Sequence, residues 1–251
     1  MADLENDRKK LPEAVIFDFD GIIVDTEPLH YRAFTRILEP HGLGFSWEEY
    51  RKTYMGFDDR DAFLEAFSRH GKVLDDVRLS ELVHKKGEAF QDMISEGVTP
   101  YPGVAELARK LKKSGIPVAI CSGALLSDIL PVLENIGLGE CFNTIVTAGD
   151  VKKSKPDPES YMLACRRIME NISPPPQGLR AIAIEDTPAG IDSALGAGLH
   201  VIAVTNSYPP EYLSKASWVV DSLLEILDCF QDGSALTEIA CRRHFFKKSD
   251  K

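Results

Sequence analysis

The sequence predicts an α/β protein with an open, Rossmann-like parallel sheet that is interrupted after its first strand by a small α-helical cap. Three observations favour this fold. Residues 14–17 (AVIF) are all apolar, as in strands that are buried on both faces of a parallel sheet. Residues 27–97 carry helical patterns and little strand signal. Beyond residue 98, helix and strand patterns alternate, which is typical of parallel strands joined by crossover helices.

The inserted segment is predicted to form four helices. The first spans residues 28–39, and the second begins at Ser46 with the spacing of a capping box. The other two span residues 59–70 and 79–95. The clearest of these segments place apolar residues at helical spacing on one face. Four amphipathic helices joined by short polar segments suit a small bundle.

The region after the insert is predicted to alternate between helices and strands. The expected helices are 104–113, 125–136, 157–169, 189–198 and 223–230, and the expected strands are 117–122, 143–149, 180–186 and 200–205. We therefore assign residues 12–26 and 98–231 to a discontinuous core. Residues 27–97 form the predicted cap, and residues 232–251 form a C-terminal tail to which we assign no function.

Charge and composition exclude several function classes. The formal net charge of −10 opposes binding to nucleic acids or anionic membranes through a broad basic surface. No apolar run is long enough to cross a membrane, and the charged opening segment does not resemble a signal peptide, so we expect a cytoplasmic protein. The cysteines show no C-x-x-C pairing that would indicate a zinc or redox site. We expect a monomer that acts on a small phosphorylated metabolite.

Chemically suitable residues follow four of the predicted strands. Asp18 and Asp20 end the first strand and, two positions apart, project to the same side of the backbone. Ser122 ends the second strand, Lys155 follows the third, and the acidic pair 185–186 ends the fourth. One such group alone would be interpreted as a helix cap or a solvated strand end. Four groups at the carboxyl edge of a parallel sheet, where ligands bind in such folds, indicate a catalytic site.

The carboxylates predict a Mg²⁺ site, because a hard cation next to phosphate prefers oxygen ligands. The expected ligands are Asp18, Asp20 through its main-chain carbonyl, Asp186 and Glu185. Asp18 is also the predicted nucleophile, since carboxylates form aspartyl-phosphate intermediates. Asp20 would protonate the departing ester oxygen and then deprotonate the water that hydrolyses the intermediate.

The remaining groups suit the binding of phosphate. The hydroxyl of Ser122 and the backbone N–H groups around Gly123 can donate hydrogen bonds to phosphate oxygens. Lys155 would supply positive charge both to the phosphate and to Asp18. Together these groups meet the main requirement of phosphoryl transfer, which is to neutralise and position the transferred group.

Four segments, in this order, resemble the motifs of one enzyme family. They are DFDGIIVDTEPLH (18–30), CSG (121–123), SKPDPE (154–159) and IEDTPAGIDSA (184–194). The chain is similar to the haloacid dehalogenase superfamily, and specifically to its β-phosphoglucomutase-like subgroup, over about residues 12–230. Together the motifs are highly specific, whereas D-x-D or K-P alone would be weak. The resemblance implies the core fold, a helical cap inserted after the first motif, and Mg²⁺.

The resemblance also implies roles for residues around the cap. The segment that starts at Gly21 resembles the flap that lets the cap hinge over the site, so Gly21 is a candidate to lie against the phosphate. Glu27 and His30 begin the cap and are candidates to face the substrate. An acid in the first helical turn is equally expected to stabilise the helix dipole, and His30 could equally be packed or solvated. Arg60 and Lys86 are candidates to recognise an anionic substrate, against the alternative of a salt-bridged cap surface.

A phosphatase for a small phosphomonoester is the favoured activity, and the resemblance implies sugar phosphates. Dehalogenases of the superfamily lack the second aspartate of the first motif, whereas Asp20 is present. Phosphonatases use a cap lysine as a Schiff base, and Lys85 or Lys86 could supply one, but lysines on helix surfaces are usually solvated. A catalytically silent scaffold on the same fold is opposed by the presence of Asp18 and Lys155.

A sugar-phosphate mutase is the main alternative, since it shares every core motif. A mutase must also hold a second phosphate while its bisphosphate intermediate turns over. This chain has Asp58 and Asp59 in the cap loop GFDDRD, and Leu125 and Leu126 after the serine motif. Acidic side chains would repel a distal phosphate and apolar side chains would not bind it. Hydrolysis is therefore favoured over mutase activity.

Overall fold

Six parallel strands form the centre of the protein. The computed structural model describes residues 12–55, 57–172 and 178–231, so the predicted tail of residues 232–251 lies outside the described residues. The strands are β1 (Ala14–Phe17), β2 (Val118–Cys121), β3 (Thr144–Val146), β4 (Ala181–Glu185), β5 (His200–Val204) and β6 (Trp218–Val220). They form one sheet in the order β3-β2-β1-β4-β5-β6, and every neighbouring pair is parallel. This sheet confirms the predicted fold class.

The strand β1 lies inside the sheet and is paired on both edges. Val15 is opposite Val118 of β2 and Ile182 of β4. All four residues of β1 are buried, which is why its sequence is apolar throughout rather than alternating. The edge strand β6 was not predicted from the sequence, because three residues (WVV) are too few to show a period.

The cap helices are α1 (Glu27–Leu38), α2 (Trp47–Glu49), α3 (Asp59–Arg69) and α4 (Asp76–Ser95). The second helix begins after Ser46, as predicted, and is only three residues long. Ser46 Oγ accepts a hydrogen bond from Glu49 N at 3.1 Å, as the capping box predicts, but the chain then continues as a π-helix over Tyr50–Tyr54. The helix α4 begins earlier than expected because Asp75 caps it, with Asp75 Oδ1 accepting from Arg78 N at 2.8 Å.

The core helices cover both faces of the sheet. They are α5 (Val104–Lys113), α6 (Leu126–Asn135), α7 (Glu159–Glu170), α8 (Pro188–Gly196) and α9 (Leu223–Gln231). Alternate residues of β1 belong to different hydrophobic clusters, with Val15 and Phe17 packed on one face and Ala14 and Ile16 on the other. No helix among the described residues has the combination of length and apolarity needed to cross a bilayer.

The cap has a hydrophobic cluster of its own and also packs on the core. Phe34, Phe63 and Leu82 belong to a cluster made by cap residues alone. Phe90 and Ala89 of α4 instead join the cluster that covers one face of the sheet. The cap helices α1 and α4 therefore lie directly over the carboxyl end of β1, where the motif residues are found.

Candidate active site

Asp18 follows β1 and lies at the carboxyl edge of the sheet. Its backbone N donates to Ile184 O of the neighbouring strand β4 at 2.9 Å, which fixes the chain at this point. The carboxylate is buried, and its Oδ1 accepts a hydrogen bond from Lys155 Nζ at 2.9 Å. Burial and the nearby charge of Glu185 raise the pKa of Asp18 to about 8, against the opposing charge of Lys155. This carboxylate therefore needs further positive charge in order to be ionised at neutral pH.

Lys155 joins the ends of three strands. Its Nζ donates to Asp18 Oδ1, to Cys121 O at 3.0 Å and to Glu185 Oε1 at 2.6 Å. Burial alone would lower the pKa of Lys155, but the charges of Asp18 and Glu185 outweigh it and hold that pKa well above its usual range. Lys155 is thus a permanent cation between two carboxylates.

Glu185 is wholly buried, and both of its carboxylate oxygens are engaged. Tyr161 Oη donates to Glu185 Oε1 at 2.6 Å, alongside Lys155. The other oxygen, Oε2, accepts from Asp186 N at 3.3 Å and from Thr187 Oγ1 at 3.4 Å. Glu185 was predicted as a metal ligand; in this structure its main contacts hold Lys155 and Tyr161 in place.

The neighbouring carboxylate, Asp186, has an oxygen that could hold a cation. It is fully buried, its Oδ2 accepts a hydrogen bond from Ser207 Oγ, and its Oδ1 has no hydrogen-bond partner. Burial and the charges of Asp18 and Glu185 raise the pKa of Asp186 well above its usual range. An unpaired buried polar atom costs about 1–3 kcal/mol, so this oxygen requires a ligand.

The donor set around Asp186 fits a small hard cation. One carboxylate oxygen from each of Asp18, Glu185 and Asp186 lies within 4.8 Å of the others. Clustered carboxylate oxygens are ligands that Mg²⁺ prefers, and the ion usually keeps several of its waters beside them. The side chain of Asp20 is turned towards the cap, so the expected contribution of Asp20 to such a site remains that of its main-chain carbonyl.

Gly21 lies directly against this cluster. Its φ is +79°, and a Cβ atom at this position would lie 1.9 Å from Asp186 Oδ2. Asn206 Nδ2 donates to Gly21 O at 2.6 Å and so connects this turn to the loop after β5. Only glycine fits here, both for its backbone conformation and for the space that it leaves to the carboxylate.

Asp20 is held by two residues at the boundary between core and cap. Thr26 Oγ1 donates to Asp20 Oδ1, and His30 Nε2 lies 3.3 Å from the same oxygen. Burial acts to raise the pKa of Asp20, but the hydrogen bonds from His30 and Thr26 outweigh it and lower that pKa below its usual value. The second oxygen of Asp20 is left to meet a ligand in the cavity.

A buried lysine fixes the orientation of His30. Lys86 Nζ lies 2.7 Å from His30 Nδ1 and donates to Asp59 Oδ1 at 2.7 Å. Because an ammonium group can only donate, His30 Nδ1 accepts, so the ring carries a proton on Nε2 and donates it to Asp20. The His30 ring also stacks on Phe90, with centroids 4.1 Å apart.

This network corrects the role expected for Lys86. The Lys86 side chain has no exposed surface, and its Nζ is also packed over the rings of Phe34 and Phe90. Its charge is used within the cap, because a buried ammonium group must be paired. Lys86 therefore does not reach an anionic substrate in this conformation; it holds His30, which holds Asp20.

Replacing Lys86 tests how strongly this pair stabilises the cap. We expect Lys86→Met to lower the free energy of unfolding by about 3 kcal/mol, because Asp59 is left partly buried and unpaired. The neighbouring exposed residue provides a control, since Lys85→Met should change stability by less than about 0.5 kcal/mol. Urea denaturation measures both values, and equal values for the two variants would contradict the ion pair.

A cavity of about 800 Å³ lies between core and cap. Asp18, Asp20 and Lys155 line it from the core, and Glu27 and Arg60 line it from the cap. The carboxylate of Glu27 accepts from Tyr50 Oη at 2.6 Å. Burial raises the pKa of Glu27 above its usual value. Both predicted cap residues Glu27 and Arg60 are thus placed where a substrate could contact them, and Arg60 is exposed.

The serine motif lies beside the same cavity. Ser122 is buried, and its Oγ accepts from Ala124 N at 2.9 Å, which leaves the hydroxyl hydrogen free to donate elsewhere. Gly123 and Ala124 line the cavity wall with Leu125. The loop after β2 therefore borders the cavity, and its role in binding phosphate stays a prediction.

Several residues of the site were not found from the sequence. They are Thr26, Asp128, Tyr161, Asn206 and Ser207. Asn206 and Ser207 follow β5, so the rule that directed attention to the ends of the other strands would have identified them. Tyr161 and Asp128 lie on helices, where their spacing does not distinguish them from core and capping residues.

The fold and the site define an α/β enzyme with a capped acidic site. The model of the family described as haloacid dehalogenase-like hydrolase matches residues 15–204, and the chain belongs to this family. The membership confirms the resemblance seen in the four motifs and the prediction of an enzyme.

Individual relatives share most of their length with this chain. A "Phosphorylated carbohydrates phosphatase" of Thermotoga maritima is 31% identical, over 76% of this chain and 83% of its own length. The structure of CbbY from Rhodobacter sphaeroides in complex with phosphate has a TM-score of 0.76 at 28% identity, covering 86% of this chain and 96% of its own. The β-phosphoglucomutase of Clostridium difficile has a TM-score of 0.78 at 26% identity, covering 92% and 100%.

Proposed function

We propose that the protein is a Mg²⁺-dependent phosphatase that hydrolyses a small phosphomonoester, of the sugar phosphate class, through an aspartyl-phosphate on Asp18. One observation carries the proposal. Asp18, paired with Lys155, and Asp20, held by His30, line one cavity, and the unpartnered oxygen of Asp186 lies in the carboxylate cluster with Asp18. Relatives of this chain are named as phosphatases of phosphorylated carbohydrates and of hexitols.

The first half-reaction transfers the phosphoryl group to the protein. Asp18 Oδ attacks phosphorus as the ester bond breaks, while Lys155 and the N–H groups of the serine motif neutralise the phosphate oxygens. Asp18 and Asp186 would hold Mg²⁺, whose positive charge would keep Asp18 ionised and reduce its repulsion of the phosphate. Asp20 would donate a proton to the departing oxygen; because His30 and Thr26 lower its pKa in the free protein, the negative charge of the bound phosphate must first raise that pKa.

The second half-reaction returns the protein to its starting state. Asp20, now ionised, takes a proton from the water that attacks the aspartyl-phosphate, and phosphate leaves. The hydrogen bonds from Thr26 and His30 hold Asp20 in one orientation through both steps. Since α1 carries His30, closure of the cap is what places the acid correctly, and an open cap would not hydrolyse the intermediate efficiently.

Contacts between cap and core support a closed conformation that excludes water. Ser154 Oγ, next to the catalytic lysine, donates to Asp58 Oδ2 of the cap loop. Gln91 Nε2 of α4 donates to Ser127 O of α6 at 2.9 Å. Exclusion of water protects an acyl phosphate until the leaving group has departed.

A mutase remains the second candidate, because the chain resembles a β-phosphoglucomutase in structure. The cavity lining favours hydrolysis instead. At the position of Asp58, a mutase would need a group that binds phosphate. Asp58 instead accepts hydrogen bonds from Asp61 N and Ser154 Oγ and presents negative charge. Leu125 adds an apolar wall. Conversion of β-glucose 1-phosphate to glucose 6-phosphate at a rate above that of phosphate release would favour the mutase.

A screen of small phosphorylated metabolites tests the proposed function directly. Release of inorganic phosphate is measured for each compound with Mg²⁺ and with excess chelator. We expect hydrolysis of p-nitrophenyl phosphate and of several sugar phosphates, all dependent on the cation. An inactive wild type across the whole panel would contradict the proposal.

The unpartnered oxygen of Asp186 leads to a second prediction. Ser207→Ala removes the hydrogen bond that holds the other oxygen of Asp186, so we expect the dissociation constant for Mg²⁺ to rise about tenfold. Calorimetric titration of the free protein with Mg²⁺ measures this without relying on turnover. The exposed Ser68→Ala is the control and should bind Mg²⁺ as the wild type does. Unchanged affinity in Ser207→Ala would show that Asp186 is not oriented by this contact.

A further inference from the structure

Asp128 is a buried carboxylate that the proposed chemistry does not use. It lies in the first turn of α6, only 1% of its surface is exposed, and it lines the cavity between cap and core. Among the described residues, the one hydrogen bond to its carboxylate is a long one, from Ser127 Oγ to Oδ1 at 3.4 Å. In the part of the chain that the structure describes, Asp128 takes part in no ion pair. Burying a carboxylate that has one long hydrogen bond and no ion pair costs free energy. Its position at a cavity wall therefore indicates that a ligand binds it.

A role in helix stability does not account for this burial. An acid in the first turn is stabilised by the helix dipole, but an exposed carboxylate gains the same interaction without losing its hydration. The charge of Lys86 does not account for the burial of Asp128 either. Lys86 lowers the pKa of Asp128 against the larger, raising effect of burial, yet Lys86 Nζ is already bonded to Asp59 and His30.

Asp128 lies on the side of the cavity where the leaving group of the substrate is expected. In-line attack by Asp18 places the departing oxygen on the far side of phosphorus, towards Asp20 and the cap. Asp128 lies at the same contact between cap and core, where Gln91 of α4 donates to the carbonyl of Ser127. Asp128 lines the same cavity as Asp20 and His30.

We propose that Asp128 accepts a hydrogen bond from a hydroxyl group of the leaving alcohol and selects polyol or sugar monophosphates over bisphosphates. This inference rests on the proposed phosphatase function and names the substrate class of that site. The other acids that line the cavity, among them Glu27, Asp58 and Asp61, add to the same preference, against the opposing charges of Arg60, Lys152 and Lys153, which also line it. A second phosphate would meet these carboxylates, whereas hydroxyl groups can donate to them.

The experiment compares three substrates on purified full-length protein with Mg²⁺. They are the best sugar or polyol monophosphate of the screen, the bisphosphate of the same sugar, and p-nitrophenyl phosphate, whose leaving group has no further hydroxyl. We expect Asp128→Ala to lower kcat/KM for the monophosphate by about 10-fold to 100-fold, as for loss of a hydrogen bond to a charged group. For the same variant, kcat/KM for p-nitrophenyl phosphate should stay within about twofold of the wild-type value.

A near-isosteric variant and a matched control accompany this measurement. Asp128→Asn keeps the size of the side chain but removes its charge, so we expect the ratio of kcat/KM for bisphosphate over monophosphate to rise about tenfold. Asp92→Ala removes an exposed carboxylate of α4 and should leave all three substrates unchanged. Thermal unfolding of each variant shows that it is folded.

Different outcomes separate this inference from the proposed function. Equal losses on p-nitrophenyl phosphate and the monophosphate would assign Asp128 a structural role and overturn the inference. So would unchanged kinetics in both Asp128 variants, or a wild type that prefers bisphosphates. In each of these cases the wild type still hydrolyses phosphomonoesters. A wild type inactive on every substrate would overturn the proposed function, and the inference with it.

Discussion

Asp18→Asn is expected to abolish hydrolysis of every phosphomonoester, with kcat reduced on the order of 10⁴-fold or more. The carboxamide is uncharged and a poor nucleophile, so no covalent intermediate can form. The fold should be kept, because the amide oxygen can still accept the hydrogen bond from Lys155 that now reaches Asp18 Oδ1. Phosphate release from p-nitrophenyl phosphate with Mg²⁺ measures the loss.

Two controls make this result specific to the nucleophile. Asp25→Asn changes an exposed carboxylate in the same segment and should retain full activity. Rapid acid quenching of the wild type during turnover, followed by mass spectrometry of peptides, should find a phosphoryl group on the peptide that contains Asp18. Substantial turnover by Asp18→Asn, or a phosphoryl group on another residue, would contradict the mechanism.

The core half of the site could be predicted from the sequence because it depends on strand ends. Buried parallel strands have continuous apolar sequences, and the residues after them meet at one edge of the sheet. Asp18, Lys155 and Asp186 are found there, and the distances between them follow from the register of β1 with its neighbours. The family resemblance covers the same segments.

The cap half could not be predicted in this way. A lysine in a helix is usually solvated, and nothing near Lys86 in the sequence indicates otherwise. Its partners are Asp59 and His30, which are 27 and 56 residues away, together with the rings of Phe34 and Phe90. Burial of this kind is decided by how three helices pack, which a helical period does not specify.

The same limit applies to the burial of Asp128 and to the partner of Ser207, although the position of Ser207 after β5 points to the site. Asp128 has the sequence position of an ordinary first-turn acid, and only its burial at the cavity distinguishes it. Ser207 follows β5 in a loop of polar residues that resembles a simple turn. Its hydrogen bond to Asp186 depends on the close approach of two strand ends. Specificity and fine orientation therefore depend on contacts that are remote in sequence.

Asp20→Asn is expected to affect substrates according to how much their leaving groups need a proton. For alkyl phosphates, including sugar phosphates, we expect kcat/KM to fall about 10²-fold to 10⁴-fold, because the departing alkoxide is no longer protonated. For p-nitrophenyl phosphate the first step needs little acid catalysis, so the loss in kcat/KM should be much smaller. Steady-state kinetics on both classes of ester measure the difference.

The second part of this prediction follows because Asp20→Asn also removes the base that activates water for hydrolysis of the aspartyl-phosphate. With p-nitrophenyl phosphate, Asp20→Asn should release about one equivalent of nitrophenol rapidly and then turn over slowly, because no group activates the water that attacks the aspartyl-phosphate. Stopped-flow absorbance records such a burst. Equal losses for alkyl and aryl esters, without a burst, would contradict the double role.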